Sequence, residues 1–161
     1  MDDLERLSVE QACTRLINEY ARRIDRETTE KGFELFADDC RLILNNRGQT
    51  YNGRKEWEFI AQSQTKGQHT GNYVQRHVVT GIIIDAKDKD HASGTSMVLL
   101  YRSRWDLSKG PSPILAPEIF HWDDDFVRTP AGWKFTRHEL SPYIYASPFA
   151  DWPNVNPLTR S

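Results

Sequence analysis

Four extended runs follow one another through the second half of this chain, and they dictate most of what it can become. The first, Tyr73–Asp85, ends at the polar loop Lys87-Asp88-Lys89-Asp90. The second, Ala92–Trp105, is followed by Asp106–Pro117, a loop with three prolines and one glycine. The third, Glu118–Arg128, is closed by Thr129-Pro130-Ala131-Gly132, and Trp133–Leu140 forms the fourth. Turn chemistry between β-branched and aromatic stretches predicts a meander of long antiparallel strands.

The first half reads differently. Val9, Ala12, Cys13, Leu16, Ile17, Tyr20, Ala21 and Ile24 recur at three- and four-residue steps, which predicts one amphipathic helix. Ser8 and Gln11 have capping-box spacing and place its start at Ser8. Asp25 lies one turn beyond Ala21, at the edge of the stripe. Glu30–Phe36 suggests a second short helix, ended by Ala37-Asp38-Asp39. Cys40–Leu44 and Gln49–Tyr51 read as a strand pair around Asn45-Asn46-Arg47-Gly48, and Arg54–Gln62 as a third helix before a polar loop. The fold class expected is therefore α+β: a curved antiparallel sheet with N-terminal helices on one face, a cone with one open end. Residues 1–140 form one domain in this reading. The tail, Ser141–Ser161, carries four prolines with Tyr143, Tyr145, Phe149 and Trp152, and is expected to pack on the body or on a neighbouring subunit.

Composition narrows the partners. A formal charge of −2, from 21 basic and 23 acidic residues well mixed along the chain, leaves no footprint for nucleic acid. No apolar run approaches a membrane span. Met1-Asp2-Asp3-Leu4-Glu5-Arg6 is too acidic and polar for a signal peptide, so a cytoplasmic location is expected. Cys13 and Cys40 form no CxxC pair and read as buried thiols.

The chemistry centres on His77, a basic side chain inside a strongly apolar strand. If the fold brings Asp25 to it, the chain has a general base and a group to orient it. Strand parity places Tyr73, Gln75, His77, Val79 and Gly81 on one face, unless a bulge intervenes. Tyr20, on the same helix stripe as Asp25, is a possible hydrogen-bond donor to a substrate oxygen. Tyr51, Trp57 and Tyr101 are candidates to line the cone, although aromatic residues at such positions more often form core. Ser96 is a candidate polar contact, and His138 is expected either in the pocket or at a subunit interface. His121, Asp123 and Asp125 share a strand face without a second-element ligand at metal spacing, so no metal is expected. His69 and His91 read as surface histidines. No Ser-His-Asp order, phosphate-cradling glycine loop or dinucleotide fingerprint is present.

Particular segments carry a resemblance. Tyr20-Ala21-Arg22-Arg23-Ile24-Asp25 closes the first helix and Phe36-Ala37-Asp38-Asp39-Cys40 leads into the first strand. Tyr51-Asn52-Gly53-Arg54 precedes the third helix, Arg76-His77-Val78-Val79 opens a long strand, and Arg128-Thr129-Pro130-Ala131-Gly132-Trp133-Lys134-Phe135 makes the last hairpin. In this order, from about Leu4 to Leu140, they resemble the SnoaL-like branch of the nuclear transport factor 2-like superfamily, a cystatin-like α+β barrel. Asp25 and His77 match the proton-abstracting pair of the scytalone dehydratases and hexachlorocyclohexane dehydrochlorinases of that branch. Ser96 stands where the former have a second histidine, and Arg137-His138 where the latter have an arginine. The resemblance implies a cofactor-independent lyase or isomerase acting on a small hydrophobic cyclic or aromatic molecule, as a homodimer or homotrimer. It also leaves open a non-catalytic binding module, including a dioxygenase small-subunit role, and a polyketide cyclase or epoxide hydrolase.

Overall fold

The computed structural model describes residues 1–45, 48–58, 62, 74–103, 108, 110 and 117–144. Two helices, α1 (Asp3–Arg26) and α2 (Thr29–Phe33), precede six strands: β1 (Phe36–Leu44), β2 (Gln49–Asn52), β3 (Val74–Ala86), β4 (His91–Ser103), β5 (Glu118–Thr129) and β6 (Gly132–Ile144). Their order in the single sheet is β2-β1-β6-β5-β4-β3, so β2 and β3 are its two unjoined edges. The β3-β4-β5-β6 meander is antiparallel throughout, as the turn chemistry predicts. β1 joins β6 in parallel, because the chain enters the sheet from the helices rather than from a hairpin. Helix α1 packs on β3 and on α2.

Helix α1 starts five residues before the expected Ser8. Asp2 caps it: its Oδ1 accepts from the Glu5 N–H at 2.8 Å, and Glu5 Oε2 accepts from the Asp2 N–H at 3.0 Å. This is a complete capping box. The first turns bury nothing, since Leu4 and Leu7 are exposed, so the apolar stripe gives no sign of them before Val9. Helix α2 is shorter than expected, and Ala37-Asp38-Asp39 lies inside β1 rather than ending a helix. Pairing with β6 overrides local preference there: the Phe135 N–H donates to the Leu35 carbonyl at 3.1 Å. The register slips between Phe36 and Arg41, and the acidic side chains fall on the exposed bulge.

β6 continues to Ile144, so residues 141–144, expected in the tail, belong to the sheet. Of the expected third helix, residues 54–58 are helical. Its remainder around Ile60 and Ala61, the loop carrying His69, Tyr73 ahead of β3, Arg104 and Trp105 beyond β4, and the tail aromatics Tyr145, Phe149 and Trp152 lie outside the described residues. Cys13 and Cys40 are both buried and free. Among the described residues, no helix is long and apolar enough to cross a membrane.

Bulges curve the sheet and redistribute its faces. Gln75, His77 and Val79 face inward, but the β3–β4 register shifts between Thr80 and Ile83, with Gly81 at φ 59°. Beyond it Ile82 and Ile84 join the inner face, where simple alternation had placed them opposite His77, and Ile83 is 70% exposed. Only glycine adopts this φ without strain. Gly81→Val is expected to destabilise the fold by roughly 1–2 kcal/mol. Denaturant unfolding with an unchanged m-value checks this.

The inner face reads as cross-strand rows. His77, Leu100 and Glu118 form one. Ser96, Trp122, Leu140 and Leu44 form another, and Ile84, Gly94, Asp124, His138 and Leu42 a third. The stripe of α1 closes over these rows, with Cys13, Ile17 and Tyr20 buried against the aromatic residues of the sheet.

Candidate active site

The last turn of α1 directs Ile24 into the core and Asp25 toward β3. Both oxygens of the Asp25 carboxylate are engaged by one residue. The backbone N–H of His77 donates to Oδ2 at 2.6 Å, and His77 Nδ1 lies 2.6 Å from Oδ1. An ionised carboxylate only accepts, so Nδ1 carries the proton and Nε2 is left as the basic nitrogen. Two further bonds hold the junction. Gln75 Nε2 donates to the Ile24 carbonyl at 3.1 Å, and Arg76 Nη1 donates to the Asp25 carbonyl at 3.0 Å. These satisfy carbonyls that the helix C-terminus leaves without intrahelical partners. The side chains of His77 and Asp25 are 11% and 6% exposed, so the pair is enclosed yet still reachable.

Tyr20 sits above the inner face in an aromatic cluster. Its ring lies 5.5 Å from Trp122 and 5.1 Å from His138, centre to centre, and also meets Phe36 and Phe135 edge-on. Burial first, then the charges of Asp124 and Asp25, push its phenol up from the ordinary value. The hydroxyl therefore stays protonated at neutral pH and acts only as a neutral donor or acceptor. Trp122 touches both sides of the interior, with its ring 5.8 Å from His77 and 5.0 Å from His138.

His138 belongs to a second pair that sequence reasoning missed. Its Nδ1 lies 2.5 Å from Asp124 Oδ1, and both side chains are fully buried. Burial pushes the Asp124 carboxyl up, against the pull of His138. The sequence reading takes Asp123 and Asp125 with His121 on one strand face and passes over the aspartate between them. The usable signal was the alternation Glu118, Phe120, Trp122, Asp124, Phe126, which puts the middle aspartate on the apolar face. Glu118 was missed for the same reason. It is buried in the row of His77 and receives Arg102 Nη2 at 2.7 Å.

The other expected residues separate. Ser96 is buried opposite Trp122, and its Oγ has no hydrogen-bond partner among the described residues. Trp57 is fully buried, 3.8 Å from the Phe33 ring and edge-on to Phe36, which makes it part of the core. Tyr51, on edge strand β2, donates its hydroxyl to Gln49. Tyr101 is exposed and pairs with Arg76, on the sheet face opposite Leu100 and His77. Alternation along β4 excludes it from the interior. His121 stacks on Tyr143, and Arg137 approaches Asp125 at 3.6 Å. Among the described residues, no group of three or more His, Cys, Asp or Glu could hold a metal ion.

A curved six-stranded sheet with α1 across its inner face and an Asp–His pair at the helix end defines a chain of the nuclear transport factor 2-like class. The chain belongs to the SnoaL-like domain family, whose model matches residues 5–139. No curated protein matches the sequence. Among solved structures, a scytalone dehydratase-like protein from Novosphingobium aromaticivorans is 22% identical with a TM-score of 0.72, covering 96% of each chain. A hexachlorocyclohexane dehydrochlorinase of the LinA type from Novosphingobium barchaimii is 16% identical with a TM-score of 0.66, covering 90% of this chain and 93% of its own. A cystatin-like-fold protein from Nostoc punctiforme is 18% identical with a TM-score of 0.61, covering 83% of this chain and 90% of its own. At these identities the likeness is one of fold.

Proposed function

We propose that this protein is a cofactor-independent lyase in which His77 is the general base and Asp25 its orienting carboxylate. The observation that carries this reading is the double engagement of Asp25 by His77. One oxygen fixes the tautomer and the other fixes the backbone from which the ring projects. A base held this way loses little freedom on reaching the transition state. His77 Nε2 takes a proton from an acidified C–H of a hydrophobic cyclic substrate. The released pair forms the C=C bond, and the bond to the neighbouring leaving group breaks, expelling halide or, with a proton, water. The negative charge of Asp25 offsets the imidazolium formed. Tyr20 supplies a neutral hydroxyl to the same interior. Where no leaving group is present, return of the proton at a different carbon would shift the double bond.

The names of the two lyase neighbours support this reading, as does membership of the SnoaL-like family. Epoxide opening on this fold would want an Asp-Arg-Asp arrangement. Among the described residues, the two interior aspartates, Asp25 and Asp124, each pair with a histidine instead.

The test is a panel of cyclic β-hydroxy ketones and polychlorinated cyclohexanes incubated with the protein in deuterium oxide. The expected result is release of water or chloride from at least one member, with solvent deuterium entering the recovered ketone at its acidic carbon. If every member is returned unchanged and undeuterated by folded protein, the reading fails. The chain is then better described as a binding or association module.

A further inference from the structure

Among the described residues, three buried polar atoms on adjacent strands have no hydrogen-bond partner: Ser96 Oγ on β4, Asp124 Oδ2 on β5 and His138 Nε2 on β6. Asp124 and His138 are direct cross-strand neighbours, and Ser96 lies one diagonal step from Asp124 beside Trp122. All three residues are at most 3% exposed. A buried polar atom left unmatched costs about 1–3 kcal/mol, so three in one patch is not what packing alone would select. They do not belong to the Asp25–His77 pair. Trp122 stands between, touching the rings of both histidines.

The surroundings narrow what could match them. Tyr20, Phe36, Phe135 and Trp122 present edges and faces to the His138 ring, with centres 5.0–5.8 Å away. Directly across β4 from Asp124 stands Gly94, and a Cβ there would meet Ile84 Cδ1 at 2.5 Å and Phe126 at 3.2 Å. The patch is thus polar at its centre and apolar around it. Since Nδ1 is committed to Asp124, only the opposite nitrogen of His138 remains to meet a ligand.

We propose that Ser96, Asp124 and His138 form a recognition site for a hydroxyl or carbonyl oxygen on a cyclic, otherwise apolar ligand. This rests on the lyase reading only for which end of that ligand reacts. With Nδ1 held by Asp124, His138 Nε2 accepts from a hydroxyl when it carries no proton and donates to a carbonyl when it carries one. Ser96 Oγ adds a donor or an acceptor at the same place. The site selects oxygenated rings over halogenated or plain hydrocarbon rings, because the latter leave all three atoms unmatched.

Phenol and toluene, matched in shape and differing by the hydroxyl, are the probes. Their Kd values are measured by calorimetry on the full chain, on Asp124→Leu/His138→Phe, and on His77→Gln. The double substitution removes both partners together, so no charge is left stranded. Wild type is expected to bind phenol about tenfold more tightly than toluene, the worth of one hydrogen bond. The double variant is expected to lose that preference, and His77→Gln to retain it. Equal affinities for the two probes in wild type, or a preference that survives the double substitution, would overturn the proposal. Either outcome leaves deuterium exchange at His77 as a separate question, so the base and the recognition site fail independently.

Discussion

Replacing His77 with glutamine is expected to lower kcat/KM by about 10²–10⁴, the usual contribution of a positioned general base. It should leave the melting temperature close to that of wild type. The backbone N–H of residue 77 still reaches Asp25 Oδ2 in the variant, so the tie between helix and strand survives while the basic nitrogen is gone. Elimination rates on whichever panel member the wild type turns over measure the first quantity, and a thermal melt the second. Undiminished turnover would remove His77 from the chemistry. Asp25→Asn is a less clean probe, since an amide at this place alters both the tautomer of His77 and the fastening of α1 to β3.

The largest effect on stability is expected at the other histidine. His138→Phe fits an aromatic environment but leaves the buried Asp124 carboxyl without its hydrogen-bond partner. Breaking a buried pair in this way costs about 3–5 kcal/mol, or roughly 6–20 °C in Tm for a chain of this size. The loss should depend on pH. Burial already raises the Asp124 carboxyl above its ordinary value of 3.8, with His138 pulling it back. Without His138 the folded value rises further, and the folded state binds a proton that the unfolded state has given up. Stability then falls as pH rises from the unfolded value toward the raised folded one. Melts of His138→Phe between about pH 4 and pH 8 should show a steeper decline than wild type. Asp124→Leu/His138→Phe should recover most of the loss, because replacing a buried pair by apolar groups is often neutral or stabilising. A double variant as unstable as the single one would mean that the cost lies in packing rather than charge.

The fold was legible where periodicity is long. The helical stripe from Val9 to Ile24 and the four extended runs gave the class and the meander, because burial of one face imposes a repeat that local exceptions do not erase. Asp25 and His77 stood out for the same reason, as a carboxylate at the edge of an apolar stripe and a basic residue inside an apolar strand. What alternation could not show were the bulges. At Gly81 the chain changes face without any change in hydrophobicity, whereas plain alternation puts Ile82 and Ile84 opposite His77. The β5–β6 register shifts between Asp125 and Phe126, and on β6 Phe135 and His138 are both buried although three residues apart. No two-residue period predicts that spacing, and the partnership of Asp124 with His138 was hidden with it. The start of α1 at Asp3 was carried by the Asp2 cap alone, over turns that bury nothing.

Asp25 also has a role that does not depend on chemistry. Its carboxylate is the clasp by which the C-terminal end of α1 grips the edge strand β3, through a backbone N–H that any non-proline residue at position 77 would offer. A descendant that abandoned turnover would therefore be under pressure to keep the aspartate while the histidine drifted. Within such a lineage, retention of an acidic residue at the helix end testifies to assembly. The imidazole on the strand is the residue whose persistence would testify to catalysis.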